Sequence, residues 1–170
     1  MFKKLIKYIL PALIILLILP GLVTRKVKVT TKVAVQKPIA AVYIGLADPA
    51  KLPYWFEGFQ KIEHLQGMPF VPGSVYRITW ERKGQTFSAV EKVVKIDWKK
   101  NLKLEMHIRG LQIDSDIYFY EIEDKTYVDG THLISAKGLV KKILLPWAKP
   151  WIKKELYQNF MHFKEMMEAS

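Results

Sequence analysis

The chain has 170 residues, no cysteine and a formal net charge of +11 from 27 basic and 16 acidic residues. The lack of cysteine excludes disulfides, thiolate catalysis and cysteine-bound metals. About 145 residues follow an apolar N-terminal run, which is enough for one domain and too few for two. The basic charge favours an anionic membrane surface. Because no recognisable nucleic-acid-binding motif is present, we expect no nucleic-acid partner.

The N-terminal run extends from Leu5 to Val23 and is interrupted only by Lys7. A helix of that length rises about 28 Å, close to the roughly 30 Å thickness of the bilayer hydrocarbon core. The first predicted strand follows almost at once. We therefore predict a transmembrane anchor over residues 1–25 and one folded domain over residues 26–170.

A cleaved secretory signal is the alternative, because lysines precede the apolar run. The end of the run, LPGLVTRK, offers only a weak small-residue cleavage site. Basic residues on both sides leave the orientation undetermined, with Lys3, Lys4 and Lys7 before the run and Arg25, Lys26 and Lys28 after it. We expect a single-pass membrane protein, preferably in a bacterial inner membrane with its domain outside the cytoplasm.

The domain begins with KVKVTTKVAVQK, which alternates strictly between apolar and polar residues and predicts a half-buried strand. One face carries Val27, Val29, Thr31, Val33 and Val35. Pro38 favours the start of a helix that ends at Asp48-Pro49, and a second short helical segment rich in aromatics follows. From there to Gly138 about six more strands alternate with turns, as in antiparallel sheets with one dry face.

The C-terminal residues change to a helical period. Apolar residues recur three or four positions apart at Ile152, Leu156, Phe160, Phe163 and Met167. This stripe predicts a long amphipathic helix that covers the sheet, with polar residues such as Asn159 on its wet side. Upstream, Pro146 and Pro150 should kink or break the helix.

This order of elements resembles the helix-grip fold of the START-like (SRPBCC) superfamily, which includes Bet v 1 and the polyketide cyclase or dehydrase-like proteins. The segments that carry the resemblance are DPAKLPYWF, GMPFVPGSVYRITW, EKVVKID, KGLVKKI and FMHFKEMMEAS. The resemblance implies an α+β fold, with a curved antiparallel sheet of about seven strands around a long C-terminal helix and two short helices after strand one. It also implies a cavity between sheet and helix.

Motifs for metals, phosphate and nucleophilic catalysis are missing. The four histidines lack metal-ligand spacing, and the sequence contains neither a glycine-rich phosphate loop nor a nucleophile elbow. We therefore expect no metal and no cofactor. His132 and Glu91 are the two weak catalytic candidates, because each shares its strand face with apolar residues. A hydrogen-bonded core histidine and a strand-edge glutamate paired with a lysine are the alternatives.

Apolar and aromatic residues carry the positive signal. Those expected to line a cavity are Trp55, Tyr76, Ile78, Trp80, Leu104, Met106, Ile117, Phe119, Phe160 and Phe163. With the resemblance, they predict a membrane-anchored protein that binds a lipid or isoprenoid-like molecule. A cyclase or dehydratase-type enzyme in the same cavity is one alternative. A membrane-tethered interaction or assembly factor, its cavity filled by its own side chains, is the other.

The segment KGLVKKILLPWAKPWIKK interleaves lysines with tryptophans and leucines. Its membrane-surface candidates are Lys141, Lys142, Trp147, Lys149 and Trp151. Basic residues with tryptophans are typical of segments that lie among lipid headgroups. The alternative is a helix whose tryptophans pack into the sheet while its lysines face water.

Overall fold

The structure, a computed structural model, describes residues 16, 18–21, 23–24 and 26–169. Its strands are β1 (Val27–Val35), β2 (Phe59–Gln66), β3 (Val75–Arg82), β4 (Gln85–Asp97), β5 (Asn101–Ile108), β6 (Leu111–Ile122) and β7 (Lys125–Ala136). Its helices are α1 (Ile39–Ala47), a 3-10 helix (Pro49–Tyr54) and α2 (Leu139–Ala169). The predicted order of elements is confirmed.

The seven strands form one antiparallel sheet in the order β1-β7-β6-β5-β4-β3-β2. Three of its hairpins have two-residue turns, Lys83-Gly84, Arg109-Gly110 and Glu123-Asp124, in which both residues have positive φ. That backbone conformation matches the right-handed twist of the flanking strands. Each turn fixes the register of its hairpin and thereby decides which side chains point to the helix.

The inner face of the sheet follows the predicted alternation. On β1 the valines at 27, 29, 33 and 35 and Thr31 are buried, as the sequence indicates. On β7 every second residue is buried, from Thr126 to Ala136. β1 and β7 pair along their whole length. The two strands therefore form the continuous apolar surface against which a helix can pack.

Helix α2 lies mainly against β1 and, to a lesser extent, β7. The larger part of the core surrounds Phe160, Phe163 and Met167 of α2. A smaller part joins Leu145 and Ile152 of α2 to the start of β1 and the end of β7. Because α2 is seated at the β1–β7 side, the concave face of β3, β4 and β5 leaves space beneath the middle of the helix.

The predicted break at Pro146 and Pro150 is wrong, since α2 runs continuously through both, whereas the alternative of a kink stays a prediction. A proline in a helix removes one backbone hydrogen bond and leaves the carbonyl four residues earlier without its partner. For Pro146 that carbonyl belongs to Lys142, which is exposed. The carbonyl oxygen itself lies at the contact with Gly21, so the physical reason for a continuous helix is the burial of Leu145 and Ile152 on either side of the prolines, which outweighs the lost hydrogen bonds.

The predicted transmembrane run falls largely outside the described residues. Its described members, 16, 18–21 and 23, are helical. Gly21 packs against the backbone of Ile143 in α2 without room for a side chain, so this part of the chain lies beside the first turns of α2. Within the residues that the structure describes, no helix is long and apolar enough to cross a membrane.

Candidate functional site

A cavity of about 120 Å³ lies beneath the middle of α2, bounded by the concave sheet face and the 3-10 helix. Its walls are mainly apolar. Side chains from β3 to β7 form the floor, and Leu156 and Phe160 of α2 form part of the roof. Leu46, Ala47, Pro49 and Leu52, from the end of α1 and the 3-10 helix, were not predicted from the sequence. The sequence indicated these four residues only as part of the predicted helical segment, which has to cover the open end of the sheet.

Most of the predicted lining residues meet at this cavity. Those that line it are Trp55, Tyr76, Ile78, Leu104, Met106, Ile117 and Phe160. They come from the 3-10 helix region, β3, β5, β6 and α2, and the sheet register brings them together. Their common feature in the sequence was an inward position at the middle of a strand or on the apolar stripe of the last helix.

Three other predicted residues face inward but pack elsewhere. Trp80 stacks on Phe87 with 5.7 Å between ring centroids. Phe119 packs on Tyr43 of α1 at 4.9 Å. Phe163 is fully buried and lies edge-on to Trp55 at 5.6 Å. The apolar face of the sheet is longer than the cavity, so its two ends are filled by the protein's own aromatic rings.

His132 projects from β7 into the floor of the cavity. Its Nδ1 lies 2.9 Å from Ser115 Oγ and its Nε2 lies 3.1 Å from Thr31 Oγ1, so both ring nitrogens have hydroxyl partners. Burial lowers its pKa from 6.5 to about 4, and the ring is therefore neutral near pH 7. A Cβ at Gly130 would lie 2.7 Å from Nε2, so only glycine leaves room for this arrangement. The expected hydrogen-bonded core histidine is what the structure contains.

Glu91 lines the same cavity from β4, between its cross-strand neighbours Tyr76 and Met106. Burial raises the pKa of its carboxyl from 4.5 to about 7. Among the described residues it has no hydrogen-bond or ion-pair partner. The alternative of a strand-edge glutamate paired with a lysine is therefore wrong, because β4 is an interior strand and the carboxylate points into the cavity.

Glu91 and His132 do not form a dyad. They lie on β4 and β7, which β5 and β6 separate. Three interstrand steps of about 4.8 Å each lie between those strands along the sheet. The hydrogen-bond partners of His132 are Ser115 and Thr31, not Glu91. The cavity therefore holds two separate polar groups, one satisfied by the protein and one not.

Asn159 of α2 also lines the cavity, although the helical pattern placed it on the wet side. It is half-buried and, among the described residues, its side chain has no hydrogen-bond partner. Its position three residues after Leu156 and next to Phe160 puts it at the edge of the apolar stripe. That edge position was the signal that sequence reasoning missed.

A larger and more open groove of about 760 Å³ runs over the surface between the 3-10 helix and the end of α2. Its walls include Tyr54, Met166 and the charged residues Lys51 and Glu165. Trp55 and Phe56 line both the groove and the inner cavity. These two rings therefore form the partition between them.

Tryptophans of the basic segment do not pack into the sheet. Trp147 is 53% exposed and Trp151 is 63% exposed on the N-terminal half of α2. Lys142 and Lys149 are also exposed, and Lys141 donates to the backbone carbonyl of Arg109. The predicted membrane-surface residues thus lie on one exposed stretch of helix. Over the described part of the chain, no cluster of three or more histidine or acidic residues is arranged to hold a metal.

The sequence matches no protein-family model and no curated protein. Solved structures resemble it in fold. The crystal structure of Ara h 8.0201 has a TM-score of 0.70 at 14% identity, covering 85% of this chain and 99% of that one. SA2116 from Staphylococcus aureus, a protein of unknown function, has a TM-score of 0.71 at 16% identity, covering 87% and 97%.

A third similar structure is DynU16, a putative protein in the dynemicin biosynthetic locus. Its TM-score is 0.63 at 15% identity, and the match covers 84% of this chain and 47% of DynU16. Identities this low show the fold alone. Together with the seven-stranded sheet and the long C-terminal helix, they show that this chain has the helix-grip fold of Bet v 1-like, SRPBCC-type proteins.

Proposed function

We propose that this chain is a membrane-anchored binding protein for a hydrophobic molecule of lipid or isoprenoid type. The observation that carries the proposal is the apolar cavity under α2, formed by the inner sheet face and closed by Trp55 and Phe56. Concave, mainly apolar sites with a few polar groups suit such ligands. The helix-grip fold shared with Ara h 8.0201 and DynU16 supports a cavity between the sheet and the C-terminal helix.

The size of the cavity bears on how the ligand sits. About 120 Å³ is smaller than the roughly 300–1,000 Å³ of common ligand pockets. The surface groove beyond Trp55 and Phe56 adds the missing length. A chain-like ligand would therefore place one end in the cavity and its remainder in the groove, with the two rings displaced between them.

The membrane part of the proposal rests on two features. The apolar run Leu5–Val23 has the length and composition of an anchor. The N-terminal half of α2 exposes Trp147 and Trp151 among lysines, and the described residues of the run lie beside it at Ile143. Anchor and basic helix would then face the same headgroups, and the cavity would receive its ligand from the interface. A bacterial inner membrane, with the domain outside the cytoplasm, remains the proposed location.

The test is mass spectrometry of small molecules that co-purify with the full chain, compared with a cavity-filling variant. Leu104→Trp places a larger side chain in the cavity, whereas Lys103→Trp adds the same group on the opposite sheet face. We expect a stoichiometric apolar compound in the wild type and the Lys103→Trp variant, and its loss in Leu104→Trp. An extract without any enriched compound would overturn the proposal and favour an interaction or assembly factor.

A cyclase or dehydratase-type enzyme is the second candidate, and one observation favours it. The carboxyl of Glu91, whose pKa burial raises to about 7, is suited to give or take a proton near neutral pH. DynU16, which shares this fold, is a putative protein in a biosynthetic locus, and that location agrees with enzymatic chemistry in this fold. The check is turnover of the co-purified compound or its analogues. Loss of turnover in Glu91→Gln, with an unchanged circular dichroism spectrum, would promote this candidate over passive binding.

A further inference from the structure

The cavity contains acidic and neutral polar side chains but no basic one among its described lining residues. Among the described lining residues there is no lysine or arginine, although the chain as a whole carries a net charge of +11. Glu91 is the one acidic side chain there, and His132 is neutral near pH 7 with both ring nitrogens already bonded. The one lining side chain that becomes negative when it ionises is thus opposite in sign to the net charge of the protein.

The carboxylate of Glu91 lacks a protein partner. Glu91 is half-buried, and a carboxylate that faces an apolar cavity without a counter-charge is costly, so folded proteins normally pair it with a cation or with hydrogen-bond donors. Among the described residues, neither of its cross-strand neighbours Tyr76 and Met106 forms a hydrogen bond with it, and the recorded bond of the Tyr76 phenol oxygen is with the backbone N–H of Phe70 at 3.1 Å. The missing partner is therefore expected from the ligand.

Asn159 supplies a second, independent group. Its amide lines the same cavity from the helix side, whereas Glu91 lines it from the sheet side. Its side chain also has no hydrogen-bond partner among the described residues. A carboxylate and an amide oxygen are both acceptors, and a primary ammonium group carries three donors. Both side chains therefore offer an acceptor to the same cavity, one from the sheet and one from the helix.

We propose that the molecule bound in this cavity is a hydrophobic primary amine, whose ammonium group is received by the carboxylate of Glu91 and the amide oxygen of Asn159. This inference rests on the proposed function and names the chemical class of its ligand. The apolar part of the amine lies against side chains such as Met106 and Leu104 and extends toward Trp55. The pairing neutralises the buried carboxylate and leaves no unpaired charge in the cavity.

The probe series is benzylamine, toluene and phenylacetate, which share one ring and differ in the polar group. The probes carry a single ring because this cavity, about 120 Å³, is smaller than the roughly 150 Å³ apolar cavity that accepts benzene, and their substituent extends toward Trp55. The readout is the ¹³C-methyl signal of Met106, which lies next to Glu91 in the cavity wall and is assigned with Met106→Leu. The full chain is used in lipid nanodiscs. A signal from the cavity wall distinguishes binding in the cavity from partition into the lipid.

We expect benzylamine to bind at least about 10-fold more tightly than toluene, as a charge-assisted hydrogen bond implies. Glu91→Gln should abolish this advantage and leave toluene binding unchanged. Asn159→Leu should reduce it by a smaller factor. The matched control is Glu81→Gln, which removes a carboxylate from an exposed position on β3 and should change neither ligand.

Two results would overturn the inference, and they differ from failure of the proposed function. Equal binding of benzylamine and toluene would show that the cavity takes apolar molecules without selecting an amine. Tighter binding of phenylacetate would show that Glu91 acts as a protonated donor to an acid. If no probe shifted the Met106 signal, the cavity would not admit apolar molecules at all, and the proposed function would fail with the inference.

Discussion

The two halves of α2 differ in what they do with their apolar residues. In the C-terminal half, Phe160, Phe163 and Met167 are buried against the sheet and α1. In the N-terminal half, Leu145 and Ile152 are buried, but the helix is also apolar on its outer side. Large apolar residues exposed there are Leu139, Val140, Leu144, Trp147 and Trp151, each more than half accessible.

This difference teaches that the length of α2 is not set by the fold alone. A helix that only covered a sheet would be polar on its outer side along its whole length. A cluster of exposed tryptophans and leucines indicates a further contact surface. The cavity lies where the two halves meet, at Leu156, Asn159 and Phe160. The C-terminal half thus packs into the core, and the N-terminal half exposes a second apolar surface.

The largest effect should come from the C-terminal half. Phe163→Ala removes a fully buried ring and should lower the free energy of unfolding by about 3–5 kcal/mol. Trp151→Ala, on the exposed side of the N-terminal half, should change it by no more than about 0.5 kcal/mol. Urea unfolding of the full chain in nanodiscs, followed by near-ultraviolet circular dichroism, measures both. Comparable losses for the two variants would contradict the division of α2 into a structural and a surface half.

Stability should depend on pH through the cavity under the middle of α2, not through the lysines of its N-terminal half. Burial raises the pKa of Glu91 from 4.5 to about 7, so the folded state holds its proton more tightly than the unfolded state. Its contribution to stability is fully present below pH 4.5 and is lost as pH rises through 7. Glu91→Gln should therefore stabilise the protein by up to about 3 kcal/mol at pH 8 and by little at pH 4.

The Glu91→Gln variant should reveal the opposite pH dependence of stability, which comes from His132. Burial lowers the pKa of His132 from 6.5 to about 4, so its contribution is present above pH 6.5 and is lost as pH falls through 4. In the wild type the two groups oppose each other between pH 4.5 and 6.5. In Glu91→Gln the stability should rise with pH across that window. A flat profile of the variant between pH 4 and 6.5 would show that His132 is not the buried neutral group inferred here.

Much of the fold was predictable because it follows from local rules. Strict alternation in β1 fixed its buried face before any partner strand was known. A polar residue followed by glycine, as at Lys83-Gly84, is a local signal for a two-residue hairpin turn. Pro146 did not end the helix, because the cost of a helical proline competes with the burial of Leu145 and Ile152 on either side, and that burial is a property of the folded protein.

The cavity was less predictable, because its position also depends on the folded structure and not on local rules alone. Inward positions identified Tyr76, Met106 and Ile117, since the strand period assigns them to one face. The same rule also selected Phe119, which packs on Tyr43 and not in the cavity. Periodicity does not show at which point along the sheet the helix leaves space for a cavity. Asn159 was missed because the depth of a residue at the edge of the apolar stripe depends on that same helix position.

Substitutions of exposed tryptophans should have the smallest effect on stability. They test most directly whether the N-terminal half of α2 contacts lipid. With the full chain in anionic vesicles that contain brominated lipids, Trp151 should be quenched because it would lie among headgroups. Trp98 is the matched control: it is 52% exposed but lies at the opposite end of the domain, 5.0 Å from Tyr43 of α1. Replacing Trp151 with phenylalanine should remove quenchable emission, whereas Trp98→Phe should remove unquenched emission. Stability should stay within about 0.5 kcal/mol in both variants, since neither ring is buried. If Trp98 were quenched more strongly, the domain would face the bilayer with the other end of α2, and the exposed apolar residues of the N-terminal half would need a protein partner instead.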